Sequence, residues 1–209
     1  MAGTGRIPKP TLERLPRYLR VLRRYREMGQ GETAIASRVL GFEAGIEEFQ
    51  VRKDLSYVPA RGLPSRGYQV SELEESLDEL LGHATLRNAA VLGAGRLGAA
   101  LSQYAHFPLY GFKVVLLLDK DEKRVGQPVG PFTVQHADRM PALLLQHNVC
   151  LGIIAVPDTD AQEMADRLIR AGVRGLWNFA PVKLTVPSGV YVRNEDLGIG
   201  LSFLSYHVR

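Results

Sequence analysis

Residues 91–100 read VLGAGRLGAA. An apolar run ends at Leu92, glycines follow at 93, 95 and 98, and an alanine-rich, helix-forming stretch begins. This is the spacing of a strand–turn–helix that holds a dinucleotide pyrophosphate. Gly93 permits the sharp turn, Gly95 lets the backbone approach the phosphates, and Gly98 lets the helix pack closely on the strand. The peptide groups of Ala94, Arg96 and Leu97 belong to the same cradle, where a helix start offers N–H donors and a positive dipole. Asp119 closes the next apolar run, 21 positions after Gly98. An acid there can accept from both adenosine ribose hydroxyls and repels a 2′-phosphate, which favours NAD(H) over NADP(H). Lys120 weakens that preference. The alternative is a glycine-rich turn that binds nothing.

Downstream, strand and helix patterns alternate. Strands are expected near 89–92, 113–119, 132–135, 149–156 and 175–178, and helices near 97–104, 137–147 and 161–171. Runs such as VVLLL and CLGIIAV are apolar throughout, as strands buried on both faces must be. The alternation predicts a parallel sheet covered by helices, a Rossmann domain over 83–195. A last helix is expected over 196–209.

Upstream of about residue 82 the pattern is helical and basic. Residues 1–68 hold 13 Lys/Arg against 7 Asp/Glu, the footprint of a domain that meets a polyanion. The first helix spaces Leu12, Leu15, Leu19 and Leu22 for a core, with arginines between them. Gly29 and Gly31 end it. A short helix over 32–39, a tight turn at Gly41 and a basic third helix over 46–57 form a helix-turn-helix. On the third helix Phe49 and Leu55 are available for the core. Gln50 and Arg52 can read base edges and Lys53 can serve phosphates. The run VPARGLPSRGYQVSEL reads as a two-stranded wing, and an acidic helix follows over 70–81. A merely solvated charged face is the alternative for the third helix.

Cys150 is the only cysteine among 209 residues. It excludes an intrachain disulfide and a cysteine-based zinc site, and fits a reducing, cytoplasmic compartment. No metal site is expected. No apolar run approaches the roughly 20 residues of a membrane span, and no signal-peptide pattern opens the chain. The five histidines show no catalytic grouping, and no nucleophile is paired with a base. The pattern therefore predicts a nucleotide-binding, DNA-binding protein that is not an enzyme. A small NAD(P)-dependent oxidoreductase, or a nucleotide- or CoA-binding regulatory module, would share the same lobe.

The chain also resembles the Rex redox-sensing transcriptional repressors of bacteria. The resemblance rests on IPKPTLERLPRYLRVL (7–22), FQVRKDLSY (49–57), RGY (66–68), VLGAGRLGAAL (91–101), AVPDTDAQ (155–162), WNFAPVKLTVPSGVYVRNEDL (177–197) and LSFLSY (201–206). It implies a homodimer with an N-terminal winged helix, a C-terminal Rossmann domain and a C-terminal helix swapped between subunits. It also implies binding to palindromic double-stranded operator DNA, release by NADH, and competition by NAD+. Carried over to this sequence, Arg14, Gln50, Arg52, Lys53, Ser56, Tyr57, Arg61 and Arg66 face DNA. Gly93, Ala94, Gly95, Arg96, Leu97, Gly98, Tyr104, Asp119, Lys120, Val156, Pro157 and Asn178 surround the nucleotide. Arg20, Tyr104 and Asp196 form the switch. The wing departs from the family pattern, with Pro64 and Ser65 in place of an Arg-Gly step.

Overall fold

A computed structural model describes residues 7–208, except the side chains at 200 and 203. The chain divides into two compact units, residues 1–84 and 85–209.

The N-terminal unit opens with α1 (Lys9–Glu27), which buries Leu15, Tyr18, Leu19, Val21 and Leu22 along one face. Each such burial contributes about 1.5–3 kcal/mol, enough to carry the helix through Pro16. Leu12, expected in that row, is 42% exposed, because it lies beyond the edge of the buried stripe. Gly29 turns the chain at φ +76°. Then come β1 (Ala34–Ile35), α2 (Ser37–Ala44) and α3 (Glu48–Leu55).

The expected helix over 32–39 with a turn at Gly41 is displaced along the chain. Gly41 lies inside α2, where a Cβ would stand 2.4 Å from the Ile46 carbonyl and 3.1 Å from Val51. It is a glycine of close helix approach. The turn falls instead on Gly45, at φ +66°. Phe49 is not a core residue but 71% exposed. Phe49 and Leu55 are six positions apart, about 240° around a helix, so they cannot share a face. Val51 takes the inward position.

A hairpin follows α3, in which Arg66 N–H meets the Leu63 carbonyl at 3.1 Å across Pro64 and Ser65. Ser65 sits at φ +60°, a left-handed position that glycine adopts at lower cost. The hairpin leads into β2 (Tyr68–Gln69), antiparallel to β1, and then α4 (Val70–Leu81). The wing is thus paired through β1 and β2, with only the Leu63–Gly67 bridge nearer its tip.

The C-terminal unit contains, in chain order, β3 (Arg87–Leu92), α5 (Arg96–Ser102), β4 (Phe112–Asp119), β5 (Pro128–Val129), β6 (Phe132–Thr133), β7 (Gln135–His136), α6 (Met140–Gln146), β8 (Val149–Ile154), α7 (Asp158–Arg170), β9 (Gly175–Asn178), β10 (Tyr191–Asn194) and α8 (Leu197–His207). The main sheet is parallel in every pairing, in the order β10-β9-β8-β3-β4-β7. Counted along the chain this is strand order 3-2-1-4-5-6 read from the β7 edge, the doubly wound arrangement. Alternate residues of β3 feed opposite faces. Ala90 and Leu92 pack with Met140, Leu144, Met164 and Leu168, whereas Ala89 and Val91 pack with Leu101, Phe107 and Trp177. The expected strand over 132–135 is divided between the β5–β6 hairpin and β7. The helix expected over 97–104 ends at Ser102, leaving Tyr104 in the loop beyond it.

Candidate functional site

In a doubly wound sheet, ligands bind beyond the carboxyl ends of the strands where the order reverses. Here that point lies between β3 and β8. Gly93 leaves β3 at φ +99°, and a Cβ there would stand 2.4 Å from the Ala155 carbonyl at the end of β8. Gly98 is tighter still: a Cβ would lie 1.7 Å from the Gly93 carbonyl. At Gly95 the only neighbour within reach is Arg124 Nη1 at 3.6 Å. Two of the three glycines therefore close the turn, and the third leaves the backbone approachable. This fits a pyrophosphate. Arg96 and Leu97 start α5 on the exposed side.

Asp119 stands beside this loop at 8% exposure. It accepts from Ala94 N (2.7 Å), Asp121 N (2.9 Å) and Arg124 Nη1 (3.1 Å). Burial pushes its carboxyl upward, but those hydrogen bonds outweigh it and hold the group below the usual carboxylate range. An ionised Asp119 suits ribose hydroxyls. A cleft lined by Gly93, Leu118, Asp119, Val156, Pro157 and Asp160 opens next to it. Lys120 does not reach across to Asp119: its Nζ meets Asp160 at 2.6 Å, and that hydrogen bond raises its pKa. Sequence reasoning missed Arg124, which places a cation between Asp119 and the glycine loop. Its signal was the basic pair that ends DKDEKR.

Asn178 is brought near this region by β9, with its side chain committed to other groups of the protein. It is fully buried. Its Nδ2 donates to the Ala180 and Val182 carbonyls and to Asn194 Oδ1, and its Oδ1 accepts from Ala180 N. Its side chain fixes the turn after β9. Tyr104 is half exposed and heads a row of aromatic rings: Tyr104–Phe107 at 4.9 Å, Phe107–Trp177 at 5.7 Å and Trp177–Phe179 at 4.7 Å. Asp196 caps α8 by accepting from Gly198 N at 2.8 Å. Arg20 is exposed on α1. Among the described residues, no group of three His, Cys, Asp or Glu side chains could hold a metal ion. No described helix is long and apolar enough to cross a membrane.

In the N-terminal unit the expected DNA-facing residues separate into two sets. Arg14 and Gln50 turn inward to Asp54, which is fully buried on α3. Arg14 binds it through Nε (2.6 Å) and Nη2 (2.8 Å), Thr11 Oγ1 donates at 2.9 Å, Tyr18 Oη at 2.8 Å and Gln50 Nε2 at 2.8 Å. Burial works to raise the Asp54 pKa, but these donors prevail and lower it. Burial first, then the neighbouring carboxylate, raises the Tyr18 phenol. Arg14 thus locks α1 to α3, while Gln50 braces the same carboxylate from within α3, so both side chains are engaged inside the unit. Arg52, Lys53 and Ser56 remain on the exposed side of α3, with Arg52 paired to Glu48 and Ser56 Oγ bonded to the Lys53 carbonyl. Tyr57 is half buried, and Arg61 and Arg66 flank the exposed hairpin.

Comparison with known proteins agrees with this division. Residues 6–56 match a family described as "Putative DNA-binding protein N-terminus", and residues 85–182 match one described as "CoA binding domain". A protein of Streptomyces avermitilis named "Redox-sensing transcriptional repressor Rex" is 40% identical over 201 residues, 96% of this chain and 79% of its own. One of the same name from Carboxydothermus hydrogenoformans is 39% identical over 205 residues, 98% of this chain and 97% of its own. Among solved structures, RSP in complex with beta-NADH superposes with TM-score 0.85 and RSP in complex with beta-NAD+ and operator DNA with 0.89. Both are 31% identical and cover 98% of this chain, against 95% and 94% of their own.

Proposed function

Because the chain belongs to the Rex family of redox-sensing transcriptional repressors, we propose that it represses transcription in response to the NADH/NAD+ ratio. What carries the reading is the joining, on one chain, of an exposed basic α3 in a helix-turn-helix to a glycine cradle that fits a dinucleotide. Arg52, Lys53, Ser56, Arg61 and Arg66 meet double-stranded operator DNA. The loop 93–98, Asp119, Val156 and Pro157 hold the nucleotide, with Arg124 added to the set. The nucleotide is a signal and not a reagent, so the protein is a regulator and not an enzyme.

The sign of the response follows from charge. Oxidised nicotinamide is a cation and reduced nicotinamide is neutral, and a largely apolar pocket favours the neutral ring. NADH binding releases DNA, and NAD+ competes without releasing it. Asp196, Tyr104 and Arg20 exchange partners between the two states, which gives the effector a two-state element to bias. The protein acts as a homodimer. Supporting this is α8, where Leu197, Ile199, Leu201, Leu204 and Tyr206 all stand more than half exposed. An apolar helix with that much open surface suits exchange with a second subunit.

The test is a mobility-shift titration of the full chain on a palindromic operator at several NADH/NAD+ ratios. NADH should release the DNA and NAD+ should oppose it; release by NAD+ with retention in NADH overturns the proposed sign. Energy transfer from Trp177, the only tryptophan, to bound NADH reports nucleotide binding directly. The match of residues 85–182 to a CoA-binding family makes CoA the second ligand to titrate. A thermal shift with CoA that equals or exceeds that with NADH would move the effector assignment.

A further inference from the structure

Residues 49, 52, 53 and 56 of the α3 region are exposed, while Val51, Asp54 and Leu55 are buried. The exposed positions repeat at i, i+3, i+4 and i+7, so Phe49, Arg52, Lys53 and Ser56 form one stripe along the helix. Two of the four are cations, and one is a phenyl ring 71% open to solvent. The ring has no place to turn inward. Val51 and Leu55 fill the core side, and the Asp54 carboxylate with its ring of donors fills the rest.

Phe49 is the second residue of α3. The N-terminal residues of a recognition helix are those that reach base edges in the major groove, while the preceding helix crosses the phosphate backbone. A phenyl ring can neither pair with a phosphate nor hydrogen bond to a base. The one apolar feature the major groove presents is the 5-methyl group of thymine. Arg52, one turn further along the same stripe, is paired with Glu48.

We infer that Phe49 is a base-reading residue, its ring packed on the 5-methyl group of a thymine in each operator half-site. This rests on the reading of α3 as the helix that enters DNA, and assigns one of its operator positions by chemistry. Phe42, 86% exposed on α2, belongs to the helix that crosses the backbone and so has no methyl group to read.

The experiment uses the full chain and the palindromic duplex it selects from a random pool. Thymines are replaced by deoxyuridine, one symmetric pair of positions at a time, and binding is measured for the wild type, Phe49→Ala, Phe49→Leu and Phe42→Ala. At one position per half-site, uracil should weaken wild-type binding by about fourfold for each thymine methyl removed, the effect of one buried methyl group. Phe49→Ala should bind the thymine duplex more weakly and show no response to uracil at that position. Phe49→Leu should recover part of the response, and Phe42→Ala should keep all of it. Thermal melting of each variant confirms that an exposed position was changed without unfolding the chain; if the alanine variant melts early, the leucine variant decides the matter. Equal uracil sensitivity in the wild type and Phe49→Ala, or no sensitive thymine in the wild type, overturns the assignment while leaving DNA binding in place. If the wild type retains no duplex from the pool, the DNA-reading role of α3 falls, and the assignment with it.

Discussion

Asp54 and Asp119 are both carboxylates nearly closed off from water, one in each unit, and they are held in different ways. Asp54 is met only by side chains, from Thr11, Arg14 and Tyr18 on α1 and Gln50 on α3. Asp119 is met by two backbone amides and one arginine at the edge of a cleft. The first arrangement joins two helices and leaves nothing over for a ligand. The second keeps an ionised carboxylate beside a glycine loop. The difference bears on how charge is counted. On α1, Arg14, Arg23, Arg24 and Arg26 all pair with acids of their own unit. These four cations of α1 are held by acids of the unit, whereas Arg17 and Arg20 on the same helix and the cations of α3 and the hairpin stand exposed.

The largest expected effect breaks the side-chain clamp. Asp54→Ala removes one partner of a buried ion pair and strands the Tyr18 hydroxyl in the core, a change that costs about 3–5 kcal/mol. Hydrogen exchange on the full chain should show α1 and α3 losing protection while β3, β4 and β8 keep theirs. An equal loss of protection in both units would show that they do not unfold independently. The clamp also has a pH signature. The Asp54 pKa is lowered in the folded state, so its stabilisation is complete above the unfolded value of about 3.9 and is lost as pH falls through the folded value. The wild type should lose helical circular dichroism below about pH 4.

A smaller effect on stability, but a decisive one on response, comes from the backbone-built site. Gly98→Ala places a Cβ 1.7 Å from the Gly93 carbonyl, and the turn must shift to admit it. Overpacking of this kind costs about 1–3 kcal/mol and spoils the phosphate cradle. NADH affinity should fall at least tenfold and the Trp177-to-NADH energy transfer should fade. Operator binding should persist and become insensitive to NADH. Retained NADH sensitivity in this variant would mean that the glycine loop does not hold the signal.

What the sequence made legible follows the same division. The cradle was readable because it is built from residues that lack side chains: Gly93 and Gly98 admit nothing larger, so their spacing carries the geometry. The doubly wound sheet was readable because strands buried on both faces must be continuously apolar, although β10, with Tyr191 69% exposed, lacked that signature and went unread. On α3 the chemistry lies in the phase of an 8-residue helix. With so few residues, Phe49 and Val51 compete for the inward position, and the winner is set by how closely α2 approaches at Gly41. The internal partners of Arg14 and Asn178 were not legible for a related reason. Arginine and asparagine serve ligands and buried carboxylates or carbonyls equally well, and only the fold says which of them reaches the surface.

The smallest predicted effect sharpens the comparison within one unit. Glu74, on α4 and 2% exposed, stands 3.1 Å from Arg26 Nη1 and 3.8 Å from Arg23 Nε. These are ion-pair distances, yet neither carboxyl oxygen has a partner in hydrogen-bond geometry. Burial raises its pKa, with Asp78 and Glu75 adding to the rise and the two arginines opposing it. Asp54 is equally closed off from water and is shifted the other way, so burial alone does not set the sign; directed donors do. A raised folded pKa means that the ionised form costs stability at neutral pH, a cost that fades as pH falls through the folded value. Glu74→Gln keeps the shape and removes the charge. It should stabilise the N-terminal unit at pH 7, and the gain should shrink in denaturant titrations carried toward pH 4. A loss of stability at pH 7 would show that Arg23 and Arg26 offset the burial of Glu74 fully, and that both buried carboxylates of this unit, not Asp54 alone, hold it together.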